Sequence, residues 1–131
     1  MKLQNNNCSV LIVDNSVMIV DRLHGLLAEL GSMNTVARAF TYTEAIEKLG
    51  KEKFDIVLLD TQLPGKDGFE LLTFIKGNYP DTKTIMLTNQ TSTFYRNKGV
   101  RIGTDHFIDK SSEFEKVVEI IKDYSLGYQM N

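Results

Sequence analysis

Short apolar runs alternate with amphipathic segments along most of this chain. The runs cover residues 10–13, 35–40, 56–59, 84–87 and 106–108. Those at 10–13, 56–59 and 84–87 are continuous and rich in branched residues, which is typical of strands buried on both faces. The pattern therefore predicts five strands, three of them covered on both sides.

The segments between the runs have helical spacing. Ile19, Leu23, Leu26 and Leu30 lie on one helical face, and Gly31 follows as a helix stop. Three further stripes predict three more helices: Tyr42, Ile46 and Leu49; Phe69, Leu72 and Ile75; and Phe114, Val117, Val118 and Ile121. Two capping boxes are predicted before the second and the last of these four helices, at Thr41 with Glu44 and at Ser112 with Glu115.

Residues 90–101 are the exception to this pattern. They are polar and show little periodicity, so they fit a mobile helix and a plain polar loop equally. The alternation of strand and helix nevertheless favours an α/β fold with a parallel sheet. Right-handed crossovers then place helices on both faces, and ligands bind outside the carboxyl ends of the strands.

Length and composition narrow the class of protein. The chain has 131 residues and a formal net charge of −2, which suits one domain and argues against a nucleic-acid-binding surface. Cys8 is the only cysteine, so disulfide frameworks and cysteine-based zinc sites are excluded within one chain. No apolar run approaches the length of a membrane span or a secretory signal. We expect a cytoplasmic domain over residues 8–124 with short tails at 1–7 and 125–131.

Polar residues follow four of the five predicted strands. Asp14 and Asn15 follow the first, Asp60 the third, Thr88 the fourth and Lys110 the fifth. Two carboxylates that converge on one edge repel each other unless a cation lies between them, and oxygen ligands of this kind suit Mg²⁺. A metal, a carboxylate, an ammonium and a hydroxyl together are what phosphoryl transfer needs.

Each of these residues also has an ordinary explanation when it is taken alone. Asp14 could cap a helix, Thr88 could be a hydroxyl at a strand end, and Lys110 could be a solvated charge. Their joint appearance at the strand ends favours the functional interpretation.

Four stretches carry a resemblance to a known family: VLIVDN, IVLLDTQLPGKDG, IMLTN and DHFIDK. In this order and spacing they resemble the receiver domain of two-component response regulators, over roughly residues 8–124. The resemblance implies a flavodoxin-like, five-stranded parallel sheet of order 2-1-3-4-5 with five helices. It also implies a stand-alone chemotaxis-type receiver or the excised N-terminal receiver of a longer regulator.

The resemblance implies a role for each residue at the strand ends. Asp60 would be the phosphoacceptor that attacks a phosphohistidine donor. Asp14, Asp60 and the backbone carbonyl of Gln62 would hold Mg²⁺, with Asn15 as a weakened fourth ligand. Lys110 would pair with the phosphoryl oxygens, and Thr88 would hydrogen-bond to the phosphoryl group after transfer.

Signal output is implied in the same way. Phe107 matches an aromatic switch that turns inward when Thr88 moves, although it could equally be an ordinary core residue. Gln62 and Gln90 occupy the two positions that tune the phosphoryl lifetime. The output face would be formed by the fourth helix, fifth strand and fifth helix, including Phe94, Tyr95, Arg96, Lys98, Arg101, His106 and Phe107.

Three residues depart from the family pattern. Asn15 stands where a second metal-binding acid is usual, so we expect weaker Mg²⁺ binding. Asn89 replaces a small residue and narrows access to the acceptor. Ser111 replaces a common proline that forms a cis bond, and we expect a trans peptide because a non-proline cis bond costs about 2.5–4 kcal/mol.

Three functions are therefore open. The first is a receiver, not an enzyme, that is phosphorylated on Asp60 by a histidine kinase or histidine phosphotransfer protein and then binds a downstream protein, with homodimerisation left open. The second is a phosphorylation-independent interaction module, for which Asn15 is the reason. The third is an enzyme, but a flavoprotein would want a phosphate-binding loop after Val13, and a phosphatase would want an acid at Gln62.

Overall fold

The computed structural model describes residues 8–89 and 93–127, and this part of the chain folds into a parallel sheet with helices on both faces. Its strands are β1 Cys8–Val13, β2 Met33–Ala39, β3 Ile56–Asp60, β4 Lys83–Thr88 and β5 His106–Asp109. Its helices are α1 Val17–Ala28, α2 Tyr42–Lys51, α3 Gly68–Asn78, α4 Thr93–Ile102 and α5 Phe114–Ser125. The order β2-β1-β3-β4-β5 confirms the predicted topology.

The continuous apolar runs form the centre of the sheet, where each face is covered by helices. On β1, Val10 and Ile12 pack in one layer with α1 and α5, while Leu11 and Val13 pack in the other with α2 and α3. Successive strand side chains point to opposite faces, so a strand buried on both faces needs apolar residues at every position. This explains why these runs do not alternate with polar residues.

Of the two predicted capping boxes, the one at α2 is confirmed and the one at α5 is not. The hydroxyl of Thr41 caps α2 by accepting from the N–H of Glu44. The capping box at Ser112 and Glu115 is wrong, because α5 begins at Phe114 with no side-chain cap. Just before α5, the carboxylate of Asp109 accepts hydrogen bonds from the N–H and the hydroxyl of Ser111.

The segment that the hydrophobic pattern left open contains a helix, α4. Among its described residues only Gly99 is buried, so α4 lacks the apolar stripe that marks the other helices. A Cβ at Gly99 would lie 3.0 Å from the ring of Phe107 on β5, so the absent side chain allows α4 to approach the sheet closely.

Candidate functional site at the carboxyl edge of the sheet

Strand register brings the predicted acids together. Val13 pairs with Leu59 across β1 and β3, so Asp14 and Asp60 emerge side by side from adjacent strands. On the other side of β3, Asp60 pairs with Leu87, and Thr88 is the next residue. The N–H of Lys110 donates to the carbonyl of Thr88, so the end of β5 lies beside the end of β4 at the same edge of the sheet.

The side chain of Lys110 lies between the two carboxylates. Its Nζ is 2.7 Å from Oδ2 of Asp14 and 3.3 Å from Oδ2 of Asp60. All three side chains are less than a tenth exposed. Lys110 is therefore a buried ion-pair partner and not a solvated charge, and its ammonium is a cation between the two acids.

The two acids differ in their surroundings. Burial raises the pKa of Asp60, and the charge of Asp14 raises it further, against the opposing effects of Lys110 and the N–H of Gln62. Asp14 is fully buried and accepts the N–H of Ser16 at Oδ1. The N-cap of α1 is Ser16 and not Asp14, so the capping explanation of Asp14 is wrong.

These side chains line a cavity of about 550 Å³ at the edge of the sheet. Seven of its lining residues were singled out from the sequence: Asp14, Asn15, Asp60, Gln62, Thr88, Asn89 and Lys110. The other four had no predicted site role: Ser16, Thr61, Leu63 and Pro64.

Thr61 and Gly68 are the residues near Asp60 that sequence reasoning missed. Thr61 is buried directly after Asp60, and its hydroxyl donates to Oγ1 of Thr88 at 3.3 Å. The N–H of Gly68 donates to the carbonyl of Thr61, and a Cβ at Gly68 would overlap the carbonyl oxygen of Asp60. The PG-x-x-G pattern at 64–68 was a signal for this tight return of the chain.

The oxygen donors at this edge fit Mg²⁺ in their chemistry. Asp14 and Asp60 share one cation, and Asn15 and Gln62 line the same cavity. Carboxylate, amide and backbone carbonyl oxygens are all ligands that suit Mg²⁺. Within 8–89 and 93–127, no three His, Cys, Asp or Glu side chains cluster around a metal position. A metal bound between Asp14 and Asp60 would therefore have two carboxylates and neutral oxygens as ligands.

Phe107 faces inward in this structure. It is 7% exposed, and the guanidinium of Arg96 lies 5.2 Å from its ring centroid. Arg96 also donates to the carbonyl of Phe107 at 3.4 Å, which ties α4 to β5. Gln90, the second residue predicted to tune lifetime, lies outside the described residues.

The residues predicted to form the output face differ in their exposure to solvent. Phe94 is 68% exposed on α4, and Arg96 and Arg101 are exposed on the same helix. His106, Tyr95 and Lys98 are only partly exposed, and the Nζ of Lys98 lies 4.6 Å from the ring centroid of Phe69. The predicted residues therefore divide between solvent and packing.

The peptide bond between Lys110 and Ser111 is trans, as expected with serine after Lys110, since the described residues contain no cis peptide bond.

None of the helices in the described ranges is both long enough and apolar enough to span a bilayer.

Fold and site together define the class of protein: a doubly wound α/β domain with a buried acid pair and a lysine at the carboxyl edge of its sheet. The sequence profile described as the response regulator receiver domain matches residues 10–122. The chain belongs to this family, and it is a receiver domain of two-component systems, which is a signalling domain and not a classical enzyme. The flavoprotein and phosphatase alternatives receive no support.

The chain is also similar to individual curated proteins. The chain is 30% identical to the Fimbriae Z protein of Salmonella typhimurium over 92% of its own length and 57% of that protein. It is 27% identical to protein PilG of Pseudomonas aeruginosa over 93% of this chain and 90% of that one. The chain thus spans a little over half the length of some curated relatives and nearly all of another.

Solved structures show the same fold. A CheY-like receiver domain of Methanospirillum hungatei matches with a TM-score of 0.81 and 30% identity, covering 90% of this chain and 93% of that one. The DrrB receiver domain, solved in a BeF3-activated form, matches with a TM-score of 0.81 and 26% identity, covering 89% of this chain and 96% of that one.

Proposed function

We propose that Asp60 accepts a phosphoryl group from a phosphohistidine on a histidine kinase or histidine phosphotransfer protein. The observation that carries the proposal is the convergence of Asp60, Asp14 and Lys110 at one cavity in a chain of the receiver family. An oxygen of Asp60 attacks phosphorus and forms an O–P bond as the P–N bond breaks. The electron pair of that bond stays on the imidazole nitrogen, which takes up a proton.

The residues around Asp60 have separate roles in this transfer. Lys110 neutralises negative charge on the acceptor and then pairs with the phosphoryl oxygens. Thr88 donates its hydroxyl to the same group. Asp14, Asp60, Asn15 and the carbonyl of Gln62 would hold Mg²⁺, which when bound supplies further charge neutralisation at the phosphoryl oxygens.

Output follows from the contacts between the site and α4. Thr88 ends β4, which packs against β5 and its Phe107, and Arg96 links Phe107 to α4. When Thr88 engages the phosphoryl group, movement of the end of β4 would change this packing and with it the surface around Phe94. We infer that a downstream protein, or a second copy of the chain, reads that surface in the cytoplasm, and that Gln62 and Gln90 set how long the signal lasts.

A phosphorylation-independent interaction module remains the second candidate function. Two observations favour it: Lys110 already lies between both carboxylates, and Asn15 supplies no charge to attract a metal. In this alternative the ion pairs hold the edge in one state, and the surface binds its partner without a phosphoryl switch.

Intact mass spectrometry separates the two functions. The protein is incubated with acetyl phosphate and Mg²⁺ beside Asp60→Asn and Asn15→Asp variants. Gain of one phosphoryl group by the parent and not by Asp60→Asn supports the receiver function. If only Asn15→Asp gains the group, the amide disables the site and the second candidate is favoured. If neither gains it, phosphorylation is tested with a phosphohistidine protein as donor, and failure there contradicts the receiver function.

A further inference from the structure

Thr61 occupies a fixed position between the phosphoacceptor and Thr88. Its N–H donates to the carbonyl of Leu87 at 3.1 Å, and its own carbonyl accepts the N–H of Gly68 at 2.9 Å. These two bonds hold the backbone of Thr61 against β4 on one side and against the start of α3 on the other. Thr61 is only 3% exposed, so few orientations are open to its hydroxyl.

The Thr61 hydroxyl is the donor in its bond to Thr88. Oγ1 of Thr61 donates to Oγ1 of Thr88 at 3.3 Å, and both residues line the cavity that holds Asp60. A hydroxyl that accepts a hydrogen bond keeps its own proton for donation elsewhere, and accepting the bond makes it a better donor. The direction of this bond therefore suits Thr88 as a donor to a phosphoryl oxygen.

We propose that Thr61 is a positioning residue that sets the side-chain rotamer of Thr88 before the phosphoryl group arrives. Threonine in general can exchange between staggered χ1 rotamers, and only one of them directs the hydroxyl of Thr88 toward Thr61. The bond from Thr61 favours that rotamer, so less ordering is required when Thr88 engages the phosphoryl group. The expected effect of Thr61 on the rate of phosphoryl uptake rests on the proposed phosphorylation of Asp60. The expected effect of Thr61 on the rotamer of Thr88 does not.

The first test measures the rotamer of Thr88 by NMR, from the three-bond couplings of its Cγ2 to the backbone nitrogen and carbonyl carbon. The parent should populate one rotamer. Thr61→Val, which keeps the shape and removes the hydroxyl, should give averaged couplings, and Thr61→Ser should restore the parental values. Unchanged couplings in Thr61→Val would overturn the proposal. This measurement needs no phosphoryl donor, so it stands even if the proposed function fails.

The second test is a double-mutant cycle on the rate of phosphoryl uptake from acetyl phosphate. Thr61→Val should slow uptake by about 3- to 10-fold, the range of one neutral hydrogen bond, and Thr61→Ser by less than about twofold. In a Thr88→Ala background, Thr61→Val should change the rate by less than about 1.5-fold, because its effect passes through Thr88. An equal loss in both backgrounds would mean a general structural role and would contradict the proposal. Thermal unfolding of each variant verifies that the fold is retained.

Discussion

The surroundings of Asp60 disfavour the charged form of its carboxyl group. Burial and the charge of Asp14 raise its pKa, and Lys110 only partly offsets them. A carboxyl whose pKa is raised on folding contributes stability below the pKa of the unfolded chain, and this stability is lost as pH rises through the folded-state pKa. At neutral pH the ionised carboxylate of Asp60 therefore lowers the free energy of unfolding.

Asp60→Asn should accordingly stabilise the protein at pH 7, by about 1 kcal/mol, because one of two like charges in a buried site is removed. The gain should shrink as pH falls through the pKa of Asp60, where the parental carboxyl becomes neutral. Urea unfolding at pH 7 and at successively lower pH measures this, with the exposed Asp81→Asn as control. A variant that is less stable than the parent at pH 7 would contradict the assigned pKa direction.

Asn15 determines the charge available to a metal at the same edge. Asn15→Asp adds a third carboxylate to the cavity and should tighten Mg²⁺ binding about tenfold, since affinity follows ligand charge. Isothermal titration with Mg²⁺ alone measures the change. Asn89→Asp is the matched control, because it adds the same charge to another residue of the cavity lining. Equal tightening in both variants would indicate a general charge effect and not ligation by residue 15.

At the residue scale, sequence reasoning found Asp14, Asp60, Thr88 and Lys110 because each follows an apolar run. It expected a cation between the two acids, and the ammonium of Lys110 lies between them. It missed Thr61 because the direction of a hydroxyl depends on how β3 and β4 are aligned. That alignment is not encoded in the local pattern of the chain.

Two glycine-to-alanine variants test how closely α4 must approach the sheet. Gly99→Ala places a methyl group against Phe107 and should destabilise the fold by about 1 kcal/mol, despite the higher helix propensity of alanine. Gly25→Ala on α1 meets no atom within 4 Å and should stabilise by about 0.5–1 kcal/mol. Urea unfolding of the two variants compares them directly. Equal stabilisation by both would show that α4 can move away from β5 at no cost.

At the element scale, α4 and the start of α5 were the least predictable parts of the chain. The tight packing of α4 comes from the absence of a side chain at Gly99, and an absent side chain adds nothing to hydrophobic periodicity. Ser112 has the sequence of a cap, but α5 begins at Phe114, and the carboxylate of Glu113 accepts the N–H of Asp109 at the end of β5. In both cases a contact with β5 decided what the local pattern left open.

For the whole molecule, alternation of strands and helices predicted the α/β class and the position of the site at the carboxyl edge. The alternation alone did not predict the strand order, because several orders bury the same apolar runs. The order was predicted from the resemblance to receiver domains. The order determines which strand ends are neighbours. It places β3 between β1 and β4, so Asp60 lies between Asp14 and Thr88.

The most direct test of this account locates the phosphoryl group on the chain. The protein is treated with phosphoramidate, a small donor with a P–N bond, in the presence of Mg²⁺ and is then reduced with borohydride, which converts an acyl phosphate to homoserine. Peptide mass spectrometry should find homoserine at position 60 in the parent and nowhere in Asp60→Asn. Homoserine at Asp14 or Asp109, or an unmodified Asp60 in both the parent and Asn15→Asp, would contradict the assignment of Asp60 as the phosphoacceptor.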